Sequence, residues 1–394
     1  MLTRGFAWKK IKRIVLCGLL IALAGCATAV TDRPKLVELM WPEPPEVARV
    51  KFIQTVASER DLGRETTFGE DLLSILLGQK PPVWHLYEPV AIAVSDDSSR
   101  LYVSDFGQRL IYVFDLKEKK VKVIGEEQAV GRPFGIALDG EENVYVADQQ
   151  GKIVRVFDRA ARPLRTIGDG NLMRPTGIAI DRQRGRIYVA DSAWDKDHQN
   201  FVKIFDMQGR FLGNVGEGKD GGDYRYFPTY LAVDGDGNLY ITDTMNARVI
   251  VFDPQGNYLK KFGQAGDSWG SFSKPKGVAL DTFGNVYVVD SAWSNAQIFN
   301  RRGEILLFFG GRSRYPGLMQ NPTGIAIDRN NRIYVADTFN FRVNVYQLVN
   351  TTTEDSNLTP PDAGEKGGKT AAESSAPNIK RKGGEGTTLA VGNK

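Results

Sequence analysis

The sequence predicts an all-β fold: six four-stranded antiparallel blades arranged as a β-propeller. Three observations lead there. Six segments of one pattern recur, EPVAIAVSDDSSRLYVSD, RPFGIALDGEENVYVAD, RPTGIAIDRQRGRIYVAD, FPTYLAVDGDGNLYITD, KPKGVALDTFGNVYVVD and NPTGIAIDRNNRIYVAD. Their closing aspartates, Asp105, Asp148, Asp191, Asp243, Asp290 and Asp337, stand 43, 43, 52, 47 and 47 residues apart, a period suited to propeller blades. Within each unit, short β-rich runs are separated by turns such as DGEEN, DGDGN and DTFGN, whose Asp, Asn and Gly residues tolerate left-handed backbone.

From the N-terminus, Arg4, Lys9, Lys10, Lys12 and Arg13 precede an apolar run from Ile14 to Ala24. That run falls short of the roughly 20 apolar residues that cross a bilayer as a helix. It has the length and flanks of a signal peptide over residues 1–25. Its end, Leu23-Ala24-Gly25-Cys26, resembles the lipobox of bacterial lipoproteins. The resemblance implies cleavage before Cys26, lipid on its sulfur and membrane attachment. Ala27, rather than aspartate, follows the cysteine, which by the same analogy implies the outer membrane of a Gram-negative envelope. An uncleaved anchor or an ordinary cleaved signal are the alternatives. Residues 26–47 then read as a linker from the anchor.

The charge follows from this segment. The chain of 394 residues carries a formal charge of +4. Cleavage removes five positive and no negative charges and leaves the mature chain near −1. That excludes the basic surplus that nucleic-acid binding usually requires. The two cysteines are Cys17, in the apolar run, and Cys26. A processed chain has no thiol left for a disulfide, a metal site or a nucleophile. With 42% hydrophobic residues, it is long enough to stabilise itself through its core.

The propeller is predicted over residues 48–349. The last unit, Asn321 to Leu348, holds three strand-like runs where the others hold four. The run ARVKFIQTVAS, Ala48 to Ser58, lacks the first three strands of a unit. It is predicted to pair with FRVNVYQL as the outer strand of blade 6, closing the ring with an N-terminal strand. GEDLLSILLGQK, residues 69–80, reads as a short amphipathic helix. Residues 350–394 lack aromatics and carry six charges of each sign, a composition expected to stay disordered.

The repeated pattern resembles the NHL repeat: Pro-x-Gly-φ-Ala, then Tyr-Val-x-Asp, then Asn-x-Arg, then Phe-Asp and Gly. Residues Glu88 to Leu348 carry it. NHL proteins are β-propellers, so the resemblance implies the same fold. The first-strand pairs Gly135/Ala137, Gly177/Ala179, Gly277/Ala279 and Gly324/Ala326 fit the crowding of blades near an axis. Blade 4 departs, with Tyr230 at the glycine position.

Strand direction places the connection into strand one and the loop between strands two and three on one face. Length variation concentrates there, and function usually resides in such loops. The residues before each blade's proline are Glu88, Arg132, Arg174, Phe227, Lys274 and Asn321, and Lys276 follows one of them. Arg132, Arg174, Lys274 and Lys276 would concentrate an anionic ligand, unless the ring aspartates neutralise them. Those aspartates suit a structural role, accepting from turn N–H groups. Blades 3 and 5 both read DSAW, which puts Trp194 and Trp293 in equivalent loops. With Tyr230, Tyr224, Tyr226 and Trp269 they would form an aromatic strip for a sugar, a peptide or a protein. Alternatively, each tryptophan packs under its own loop.

Some six-bladed relatives are enzymes: an amidating lyase with histidine-bound zinc, calcium-dependent lactonases and strictosidine synthase. The only histidines here are His85 and His198, too few for a three-histidine site. Glu88 and Asn321 are the only first-strand oxygen donors expected at the mouth, with Arg132 beside them, a poor cage for a hard cation. No cofactor, metal or catalytic residue is expected. The sequence reading is an anchored propeller that binds or scaffolds an envelope protein or a glycan. A lactonase-like hydrolase using the central channel is the alternative. Replacement of Cys26 by serine is expected to abolish lipoprotein processing and membrane partitioning. An unmodified residue at the mature N-terminus, read by mass spectrometry, would end that expectation.

Overall fold

The computed structural model describes residues 38–63, 84–126, 130–193, 200–216 and 226–355. Cys26, the predicted helix 69–80, Trp194, Tyr224, His198 and residues 356–394 lie outside the described residues. Five sheets have four antiparallel strands each and the sixth has five. The first strands begin at Pro89, Pro133, Pro175, Pro228, Pro275 and Pro322. They touch in a closed ring, blade 6 against blade 1. The protein is therefore a six-bladed β-propeller, as the repeat spacing predicts.

The glycines of the first strands make this ring possible. A Cβ on Gly177 would stand 2.7 Å from the carbonyl oxygen of Thr229, and one on Gly277 would stand 2.6 Å from that of Thr323. The missing side chain thus lets one blade's backbone lie against the next. The limit is set by the neighbouring strand, not by the axis itself.

The turns between first and second strands repeat one device. Asp139 accepts from the N–H groups of Glu141 and Asn143, Asp234 from Asp236 and Asn238, and Asp281 from Phe283 and Asn285. The following position takes positive φ, at Glu142, Gly237 and Gly284, which explains the Gly and Asn content of these turns. Second-strand tyrosines fill the space between blades. Tyr145, Tyr287 and Tyr334 donate their hydroxyls to Asp139, Asp281 and Asp328.

The closing strand is β2 (Val50–Val56). It runs antiparallel to Arg342–Leu348 as predicted, with Val50 opposite Leu348 and Val56 opposite Val343. A bulge falls between Phe52 and Gln54, so Ile53 is exposed and the buried series resumes at Val56. Two features extend beyond the sequence reading. A two-residue strand, β1 (Met40–Trp41), adds a fifth strand outside β2. Beyond residue 349, Asp355 pairs with Arg49 at 3.0 Å.

Trp41 packs against Phe309 and Tyr346 at ring separations of 6.0 and 5.9 Å, and Phe52 meets Tyr346 at 5.8 Å. These rings clasp both chain ends to blades 5 and 6. Truncating such a buried aromatic costs about 3–5 kcal/mol. Trp41→Ala is therefore expected to lower the melting temperature clearly, as read by thermal denaturation. A melting temperature equal to wild type would show that the seam does not depend on this segment.

Candidate functional site

The aspartates that end the second strands organise the loop face. Each accepts from the backbone N–H groups that lead into its own blade. Asp105 takes Tyr87 and Glu88, Asp148 takes Gly131 and Arg132, Asp191 takes Met173 and Arg174, and Asp290 takes Ser273 and Lys274. Asp243 takes Phe227, and Asp337 takes Gln320. Asp105, Asp148, Asp243, Asp290 and Asp337 are 0% exposed. This is the structural role expected of them.

Their ion pairs go elsewhere than to the mouth cations. Asp148 pairs with Arg155, Asp191 with Lys203, Asp243 with Arg248 and Asp337 with Arg342, at 2.7–3.0 Å. All four cations come from third strands. Burial raises the Asp148 carboxyl, but Arg155 and three backbone donors outweigh it and hold the group below the usual carboxylate range. At Asp337 burial prevails and raises the group. In these four blades the third strand thus supplies the aspartate's partner, whereas Asp290 acts on the mouth cation Lys276.

The axis is filled. Tyr230 is 6% exposed, and its hydroxyl donates to the carbonyl oxygen of Val90 in blade 1 at 2.9 Å. Its ring lies 5.5 Å from that of Phe134 in blade 2. The departure in blade 4 therefore sends a side chain across the centre, and Tyr230 cannot join an exposed aromatic strip. Tyr226 is likewise buried, its hydroxyl accepting from the Val202 N–H. At the opposite end, Arg182 of blade 3 and Arg329 of blade 6 both pair with Asp96 of blade 1, at 2.7 and 3.0 Å.

Lys274 and Arg174 gather around Lys276. Arg132 and Lys274 are exposed, and Arg174 and Lys276 half-buried. Burial lowers the Lys276 ammonium below its ordinary value, and nearby Lys274 and Arg174 push the same way, with Asp290 opposing. Arg132 lies over the Phe106 ring, 5.5 Å from its centroid. Glu88 is raised by burial and by Asp105, while Arg132 acts against both.

Of the predicted tryptophans, Trp293 is 37% exposed and Trp269 more so, edge-on to Phe308 at 5.0 Å. The sequence reading missed further exposed apolar residues on this face: Tyr87, Met245, Phe339 and Phe341. Phe341 stacks on Tyr87 at 5.7 Å and takes a φ of 58°. The matching residue in blade 4 is Ala247. The signal was available, since an aromatic stands inside an otherwise repeated Asn-x-Arg turn.

The NHL repeat profile matches residues 319–346. The chain carries an NHL repeat. No curated protein shows significant sequence similarity to this chain. Among solved structures, the propeller resembles a gluconolactonase from Xanthomonas campestris (16% identity, 67% of this chain and 86% of that one, TM-score 0.54). It also resembles an auxiliary nutrient-binding protein from Bacteroides ovatus (16%, 66% and 69%, 0.52) and a Bacteroides thetaiotaomicron protein of unknown function (17%, 66% and 70%, 0.53). At these identities the likeness is one of fold.

If Tyr230 seals the axis, Tyr230→Ala opens a cavity there and destabilises by about 3–5 kcal/mol. Tyr230→Phe, which loses one hydrogen bond, costs about 1 kcal/mol. Denaturant titration separates the two. Equal stability of wild type and the alanine variant would contradict the filled axis.

Proposed function

We propose that this protein is a lipid-anchored binding module of the cell envelope whose loop face holds an anionic protein or glycan partner. One observation carries the reading: cations and exposed aromatic side chains share that face. Arg132, Arg174, Lys274 and Lys276 stand at the mouth, and Tyr87, Trp293, Phe339 and Phe341 stand on its loops. Aromatic anchors beside cations suit a partner that is apolar at its centre and acidic around it. The lipobox-like Leu23-Ala24-Gly25-Cys26 supports lipid anchoring, and Ala27 after it supports the outer membrane.

The filled axis weighs against the hydrolase alternative, which needs a cavity along the channel. Tyr230 crosses the centre to blade 1, and at the opposite end Arg182 and Arg329 pair with Asp96. A rigid scaffold with its variable residues on one rim is better suited to holding a surface than to enclosing a small molecule.

Capture from envelope extract tests the proposal. Lys274→Gln with Lys276→Gln is expected to weaken binding, with a smaller loss at high salt, since exposed charges are screened beyond about 8–10 Å. Trp293→Ala with Phe341→Ala is expected to weaken it at any salt, by about 2 kcal/mol or more for each true anchor. Gln183→Ala, in an exposed turn of the opposite face, is expected to change nothing. Partners that depend on Gln183 and ignore the other two pairs would contradict the assignment.

The depressed Lys276 value adds a pH dependence. As pH rises, Lys276 loses its proton before an ordinary lysine does, and an anionic partner loses attraction. Binding should therefore weaken at a pH below the ordinary lysine titration. Lys276→Arg is expected to remove that early loss, because a guanidinium stays charged. An unaltered pH profile would remove Lys276 from the interface.

A further inference from the structure

Exposed aromatic rings of the loop face concentrate where the ring of blades closes. Tyr87 leads into blade 1, and Phe339 and Phe341 stand in the turn between the second and third strands of blade 6. They are 59%, 57% and 45% exposed. Arg312 and Arg314, in the connection into blade 6, and Arg109, in the matching turn of blade 1, are exposed as well. We infer that this sector of the loop face docks on the surface of an anionic phospholipid bilayer, with the three rings at the headgroup–acyl boundary. The inference rests on the anchoring reading and goes beyond it: this sector turns to the bilayer, and the sector of Lys274, Lys276 and Trp293 is left to the partner.

The fold does not call for these rings. The same turn in blade 4 reads Thr244-Met245-Asn246-Ala247, with Ala247 at a φ of 52° where blade 6 has Phe341 at 58°. A bulky residue is uncommon at such an angle, and alanine builds the turn without it. Phe341 stacks on Tyr87 with the ring planes 11° apart, yet both stay exposed. Gly107 gives Tyr87 its place, since a Cβ there would stand 2.7 Å from the Tyr87 ring. The backbone carrying the arginines is tied to the same turn. Asn340 Nδ2 donates to the Ser313 carbonyl oxygen at 2.9 Å, and Arg342 donates to that of Arg314 at 3.1 Å. The carboxylates next to these residues in the chain are withdrawn: Asp105 and Asp337 are 0% exposed, and Glu88 is half-buried. Placed rings beside exposed cations suit an interface that is anionic at its surface and apolar beneath.

The path of the chain names the occupant. β1 runs antiparallel to β2, with Met40 opposite Lys51 and Trp41 opposite Val50. The far end of β2, Val56, lies opposite Val343, one residue past the Arg342 that closes the turn of Phe339 and Phe341. The chain leading back from Met40 therefore leaves β1 towards the loop face. Cys26 and Leu39 are 13 residues apart, a span of up to about 45 Å when extended. The seven-residue β2 rises only about 23 Å, so a tether of that length clears the loop face. Lipid at Cys26 holds this sector beside the bilayer at high effective concentration, and a small patch then suffices for docking.

The mature chain suits a direct test, because a lipidated Cys26 leaves it no other thiol. The full lipoprotein is reconstituted in phosphatidylcholine vesicles with and without phosphatidylglycerol. An environment-sensitive fluorophore is attached to Phe339→Cys, with wild type and Gln183→Cys, in an exposed turn of the opposite face, as comparisons. On phosphatidylglycerol vesicles the Phe339→Cys label is expected to report an apolar site about 5–10 Å into the boundary and to lose most of its quenching by acrylamide. The Gln183→Cys label keeps its quenching. Arg312→Gln and Arg314→Gln are each expected to lower the ratio of docked to undocked label by about fivefold. A Phe339→Cys label as open to acrylamide as the one on Gln183→Cys, with wild type refusing label, overturns the docking and leaves the anchor standing. Uptake of label by wild type at Cys26 overturns anchor and docking together. Shielding that appears only after envelope extract is added gives the sector to a protein and overturns the bilayer contact.

Discussion

Everything on the loop face depends on a buried carboxylate that ends each blade's second strand. It accepts from the N–H groups leading into that blade, and in four blades it also holds a third-strand cation. A carboxylate without solvent is costly unless it is fully paired. Repeated pairing turns that cost into rigidity: three strands and the incoming loop are tied at one point. By taking backbone donors, these aspartates fix the backbones of Arg132, Arg174 and Lys274 at the mouth.

The filled axis follows a related logic. Glycine in four first strands brings the blades into backbone contact, which narrows the centre. Blade 4 uses that narrow space for Tyr230, whose hydroxyl reaches blade 1. Closure therefore comes from inside as well as from the seam between β2 and Arg342–Leu348. The exposed Trp293 and Phe341 stand on the loops of the rim instead.

Much of the fold was legible in the sequence. The spacing from Asp105 to Asp337 marked six blades, and the isolated run Ala48–Ser58 marked the closing strand. What was not legible depends on three-dimensional register. Met40–Trp41 is too short, and too close to Pro42, to show a strand period. The bulge at Ile53 resets an alternation that appeared continuous. Tyr230 was visible as a departure, but its direction across the axis is set by the space that the other blades leave. Of the candidate site, Arg132, Arg174, Lys274, Lys276 and Trp293 fall on the expected face. That Asp148 would choose Arg155 over Arg132 depends on pairing between second and third strands, which a one-dimensional pattern does not fix.

Amide hydrogen exchange in blade 2 tests the central claim most directly. If the Asp148 carboxylate holds the loop, the N–H groups of Arg132 and Gly151, which donate to it at 2.9 Å, exchange as slowly as those of neighbouring strand residues such as Val146. Asp148→Asn then speeds Arg132 and Gly151 by about tenfold or more relative to Val146, the effect of losing one charge-assisted acceptor. Arg132 and Gly151 exchanging at unprotected loop rates in the wild-type protein would contradict the account.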